Sequence, residues 1–248
     1  MSEAGEESFI SHLVELRSRL IRAMVAVGLV FGGLCLYPGP SIIYDLLALP
    51  LTEALPEGTK MVAIGVITPF MVPLKVTMMV AFVLALPIVL YQAWAFIAPG
   101  LYAHEKRLGV PLIVASTVLF MAGMAFCYFF VFGQVFKFIA SFAPKSITPA
   151  PDIEAYLSFV LTMFVAFGLA FEVPVALVVL VRMGVVTVAK LKEWRSYFIV
   201  GAFVIAAVVT PPDVVSQLAL AIPMCLLYEI GLIAARMVGS GAARETDD

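Results

Sequence analysis

The chain has 248 residues, 63% of them apolar and only 13% charged, against roughly 25% charged in an ordinary soluble domain. A net charge of −2 supplies no electrostatic footprint for nucleic acid. Together these values exclude an ordinary soluble core and indicate an integral membrane protein, which the helix-length runs below make all-α.

The N-terminal MSEAGEES is acidic where a cleaved signal peptide is basic, so the first span is expected to be retained. Stretches free of Asp, Glu, Lys and Arg cover 23–44, 76–104, 108–136, 155–171 and 196–212, with a sixth at 214–228. A spanning helix needs about 20 apolar residues. These runs therefore predict a single membrane domain of six helices near 20–38, 70–97, 109–137, 155–180, 196–211 and 214–234. They do not alternate in the manner of barrel strands.

Ahead of the first span, SHLVELRSRL (11–20) continues an apolar stripe from Phe9 through Leu13, Leu16 and Leu20 at helical spacing. Glu15 falls on the opposite side, four residues before Arg19, the spacing of an ordinary surface ion pair. The following loop, 39–68, contains Pro50, Pro56 and Gly58, and the segment from Ser41 is expected to lie as an amphipathic cap on the outer surface. The second span absorbs Lys75 near its start, and LYAHEKR (101–107) follows it. Glu172 interrupts the fourth span. The fifth and sixth spans are separated by TPPD (210–213), where Pro211 and Pro212 end one helix and Asp213 caps the next. Only about 15 helical residues separate Arg195 from that turn, or roughly 22 Å against a hydrocarbon thickness of about 30 Å, so short fifth and sixth helices are expected. Pro87, Pro174 and Pro223 should bend their helices, which either sets shape alone or builds a concave wall.

Basic residues orient the chain. Arg17, Arg19, Arg22, Lys106, Arg107, Arg182, Lys190, Lys192, Arg195, Arg236 and Arg244 fall on one side, against Lys60, Lys75, Lys137 and Lys145. The excess places both termini and the loops 98–108 and 181–195 in the cytoplasm.

Chemistry-bearing residues are few. Cys35, Cys127 and Cys225 lie in apolar runs and read as small hydrophobes. The two histidines, His12 and His104, sit at the cytoplasmic rim and are too few for a zinc site, so neither metal nor cofactor is expected. GxxxxGK[ST], HExxH and GxSxG are all missing, and an enzyme is not expected. A charge at the depth of Glu172 costs at least ~2.5–3.5 kcal/mol, which marks it as a binding or coupling residue or as a structural polar contact. The carbonyl freed by Pro174 is its expected local partner. Gln217 is a weaker candidate for joining neighbouring helices. Glu15 and Glu105 are acids at a rim where topology asks only for bases, and a carboxylate pair suits two guanidinium groups.

Four stretches carry a family resemblance: HLVELRSRL at 12–20, FIAPGLYAHEKR at 96–107, SFVLTMFVAFGLAFEVPV at 158–175 and TPPDVVSQLALAIP at 210–223. The chain resembles the TatC family, the polytopic receptor of the twin-arginine protein translocase. The resemblance implies six helices with cytoplasmic ends in a cupped shape within the bacterial cytoplasmic membrane. It implies that Glu15 and Glu105 bind the paired arginines of a signal peptide, with Arg17 and Phe96 at the same site. Pro50 and Asp213 match sensitive structural positions, and Glu172 matches a buried polar position on the concave side. The implied partners are twin-arginine signal peptides and single-span TatA- and TatB-type subunits in an oligomeric complex driven by the proton gradient. A secondary transporter for a small solute is the alternative. It calls for an inverted repeat and several midplane polar residues, and Glu172 is nearly alone.

Overall fold

The structure is a computed structural model describing residues 3–54, 62–97, 106–142, 152–210 and 213–245. Among the described residues ten α-helices follow in order: α1 (Glu3–Leu36), α2 (Pro40–Ala54), α3 (Thr68–Ile97), α4 (Lys106–Phe126), α5 (Phe132–Phe142), α6 (Ile153–Phe171), α7 (Val173–Arg182), α8 (Val188–Glu193), α9 (Arg195–Val209) and α10 (Val214–Glu245). One π-helical turn, Cys127–Val131, joins α4 to α5. The chain is an all-α membrane protein; among the described residues the only strand-like feature is an isolated bridge between Val62 and Asp152.

Among the described residues five stretches are long and apolar enough to cross a membrane: His12–Leu36, Thr68–Ile97, Gly109–Phe138, Ile153–Arg182 and Val214–Met237. The remaining expected span is α9, apolar but only 15 residues long. At 1.5 Å per residue it reaches roughly 22 Å, well short of the ~30 Å hydrocarbon layer. α10 departs from expectation. It is not short, running 32 residues to Glu245, with no proline after Pro223 to end it. The short feature is the apolar run between Asp213 and Glu229.

α3 continues unbroken across Pro73 and Pro87, and α10 across Pro223. Only Pro174 coincides with a break, at the start of α7 directly after Glu172. Pro50, expected in a loop, lies within the helical cap α2.

The core is an aromatic pile. Phe132, Phe164 and Phe167 are almost fully buried, and Phe126, Phe136 and Tyr128 pack against them. Glycines let the helices approach closely enough to build it. A side chain at Gly168 would strike the Phe120 ring, and one at Gly123 would strike the Phe167 carbonyl, so α4 and α6 pack backbone to side chain. Van der Waals fit of this kind replaces the hydrophobic drive that lipid cannot supply.

Polar pairs fasten the two ends. At one end Lys75 Nζ bonds Glu154 Oε1 at 2.8 Å, joining α3 to α6. The cap helix α2 packs over α3 and α5 at that same end. At the other end Arg195 Nη2 bonds Glu229 Oε2 at 2.6 Å, and the Tyr228 hydroxyl donates to the Leu191 carbonyl at 2.7 Å. Gly184, at φ 69°, closes α7 by letting the Val185 N–H reach back to the Leu180 carbonyl at 3.1 Å.

Candidate functional site

The first candidate lies where α1 meets the last turn of α3. Polar residues placed four apart put Glu15 and Arg19 on one helix face, and the ordinary ion pair that this spacing predicts is formed. Arg19 Nη2 and Nε donate to Glu15 Oε1 at 2.6 and 2.9 Å. Both bonds fall on the same oxygen, leaving Oε2 outside the fork. The Glu15 side chain keeps 37% of its surface exposed, so the acid remains reachable.

One turn before Glu15, the His12 ring stacks on Phe96 with centroids 4.4 Å apart and planes at 19°. This contact ties the Glu15 turn of α1 to the end of α3, and chain connectivity makes the next segment 98–105. Glu105, the other expected acid, lies outside the described residues, immediately before the start of α4 at Lys106. Arg17 is exposed on α1, and Phe96 is half-buried by its stack. The structure thus brings together the Glu15 turn and Phe96.

The second candidate is buried. Glu172 is 9% exposed and forms the joint between α6 and α7, with backbone angles that remain near-helical. Its N–H reaches the Leu169 carbonyl at 3.1 Å. Neither carboxyl oxygen has a hydrogen-bond partner among the described residues, so the carbonyl freed by Pro174 is not the side chain's partner. The Ser116 hydroxyl of α4 faces the carboxyl without closing a bond of standard geometry. Ser116 Oγ instead accepts from Trp94 Nε1 of α3 at 2.8 Å, a fully buried bond. Three spans thereby supply polar atoms to one apolar interior, with a carboxyl at its centre. Buried polar groups left open in this way are expensive, and at membrane depth they mark function.

Glu172 and Gln217 do not share a site. Pro174 packs on Gly231 of α10, fourteen residues beyond Gln217 and so roughly 21 Å away by helical rise. Gln217 sits near the start of α10, where its Nε2 donates to the Phe203 carbonyl of α9 at 3.3 Å. Asp213 precedes the same helix and accepts from the Ser216 N–H at 2.7 Å through Oδ1. The intervening residues 211–212 lie outside the described residues.

Sequence reasoning passed over the Trp94–Ser116 bond. Its signal was available: a tryptophan N–H inside an apolar span needs an acceptor. It also missed the Lys75–Glu154 and Arg195–Glu229 pairs, which join residues 79 and 34 positions apart and leave no local pattern.

This combination defines a polytopic helical membrane protein in which, among the described residues, Glu172 is the one buried acid. Comparison places it further. The family model described as Sec-independent protein translocase protein (TatC) matches residues 11–223. The Sec-independent protein translocase protein TatC of Escherichia coli K12 is 50% identical over 246 residues, covering 99% of this chain and 95% of that one. The TatC of Azotobacter chroococcum is 53% identical over 223 residues, covering 90% and 87%. A crystal structure described as the twin arginine translocase receptor TatC superposes with a TM-score of 0.78 at 41% identity, covering 92% of this chain and 99% of that one. The chain belongs to the TatC family.

Proposed function

We propose that the chain is the receptor and core subunit of a twin-arginine translocase in the bacterial cytoplasmic membrane, with both termini cytoplasmic and α9 as the fifth of six spans. In this reading Glu15 and Glu105 pair with the two arginines of a signal peptide, beside Arg17 and Phe96. The supporting observation is the His12–Phe96 stack, which fixes the Glu15 turn against the helix that leads into the segment carrying Glu105. A planar guanidinium fork takes a carboxylate through two hydrogen bonds, a geometry that a lysine ammonium does not match. Arg19 already occupies one oxygen of Glu15, so an incoming arginine engages the other.

The apolar part of the signal then lies along the concave wall, and TatA- and TatB-type single spans dock on α9 and α10. Exposed Tyr197, Val200, Val204 and Val208 on α9 offer such a helix an apolar face. Glu172 offers a polar partner inside that assembly. The short α9 thins the bilayer beside it, and the proton gradient, not ATP, drives passage of folded cargo.

The test is photocrosslinking of a twin-arginine peptide to the full chain in membranes. Glu15→Ala and Glu105→Ala should each weaken the crosslink while the protein remains folded. Undiminished crosslinking in both variants would end the recognition claim.

A further inference from the structure

We propose that the chain carries a specific binding site for one phospholipid with a zwitterionic, primary-amine headgroup, in the groove between α1, α3 and α6. The groove has a cavity volume of about 650 Å³ and is walled by Val27 and Phe31 of α1, Met71 and Met78 of α3, and Leu161 and Val165 of α6. Along α3 it runs from Met71 to Phe82. Eleven residues of helical rise make this roughly 16 Å, the depth of one leaflet of a ~30 Å hydrocarbon layer. A spanning partner helix would need a groove about twice as long. The length therefore fits acyl chains, and methionine side chains adapt to their irregular shape.

The mouth of the groove supplies the headgroup chemistry. Lys75 lines the groove, and its Nζ turns toward the helix ends to meet Glu154 Oε1 at 2.8 Å, while the Thr68 hydroxyl lies 3.3 Å from Glu154 Oε2. Among the described residues Lys75 is the one charged side chain in the lining, and such a stem lies along apolar surface while its ammonium seeks the polar boundary. The two side chains keep 47% and 48% of their surface exposed, so each has room for a further partner. A phosphate bonds the ammonium of Lys75, and the lipid's own ammonium bonds the carboxylate of Glu154. Charges then alternate around the mouth, and each bond is charge-assisted. A choline headgroup has no N–H to offer Glu154, and a glycerol headgroup has no positive charge, so the site selects the primary amine.

The inference takes only the naming of the leaflet, outer, from the proposed orientation. Lipid retention is scored without signal peptide, so its failure leaves arginine recognition standing, and the reverse holds equally. The experiment is native mass spectrometry of the full chain, delipidated and then offered phosphatidylethanolamine, phosphatidylcholine or phosphatidylglycerol. One phosphatidylethanolamine should be retained per chain, about tenfold over the other two, the preference expected from one extra charge-assisted bond. Lys75→Ala and Glu154→Ala should each erase that preference. Where either variant melts at lower temperature, Met78→Trp fills the groove while sparing the ion pair, and it should expel the lipid with no fall in melting temperature. Equal retention of the three lipids, or unchanged retention in Met78→Trp, overturns the proposal. A photoreactive residue at position 78 that captures signal peptide or another protein in place of lipid overturns it as well.

Discussion

Glu229 and Glu172 are two acids within apolar helical stretches, and they are handled in opposite ways. Glu229 faces Arg195 of the short helix α9 and makes a 2.6 Å ion pair. Gly231, two residues further along α10, turns toward the other side and receives Pro174, next to the Glu172 joint. There the carboxyl has no bonded partner among the described residues. One acid is committed to joining two helices near their ends. The other is held in reserve in a polar pocket built by α3, α4 and the α6–α7 break. The two acids differ in both burial and bonding: Glu229 is half-exposed and paired, whereas Glu172 is buried with its hydrogen-bonding capacity unspent among the described residues.

Replacing Glu172 sharpens this contrast most. Glu172→Leu removes a buried group with no bonded partner, so melting temperature in detergent should hold or rise, while export of a twin-arginine reporter falls at least about tenfold. A loss of folding with a proportional loss of export would make Glu172 a structural residue like Glu229. The next effect concerns the support of that pocket. Trp94→Phe strips Ser116 of its donor and should destabilise the protein by about 1–2 kcal/mol, read from denaturation in detergent. At the opposite end of α10, Asp213→Ala removes the helix cap at Ser216 and should cost about 1 kcal/mol. The smallest effect belongs to the spent acid. A double-mutant cycle of Arg195→Ala and Glu229→Ala should give a coupling energy of about 0.2–1 kcal/mol, because both side chains are more than 40% exposed. It should leave peptide crosslinking unchanged. A coupling of several kcal/mol, or lost peptide binding, would erase the distinction between the two acids.

Much of this was legible before any coordinates. The expected spans 70–97 and 155–180 match Thr68–Ile97 and Ile153–Arg182 to within two residues, because charges inside the bilayer are costly enough to be sparse there. The spacing from Arg195 to the TPPD turn gave the length of α9. The Glu15–Arg19 pair followed from helix geometry. Missing donors at Pro87 and Pro223 leave their helices continuous, since a membrane helix finds other ways to satisfy one carbonyl. Polar contacts between spans were invisible, for Trp94 and Ser116 meet only after α3 and α4 pack. The acidic edge itself was legible only as a pairing of residue types, because distance between Glu15 and Glu105 depends on how the 98–105 segment returns.

That distance is the central quantity. Spin labels at Glu15→Cys and Glu105→Cys, in a chain whose Cys35, Cys127 and Cys225 are replaced by alanine, measure it directly in membranes. Two adjacent arginines present their side chains from backbone positions about 3.5 Å apart, so the account predicts a single narrow distance below about 20 Å, labels included. A distribution centred beyond about 30 Å would place the acids too far apart for one arginine pair to bridge, and would contradict it.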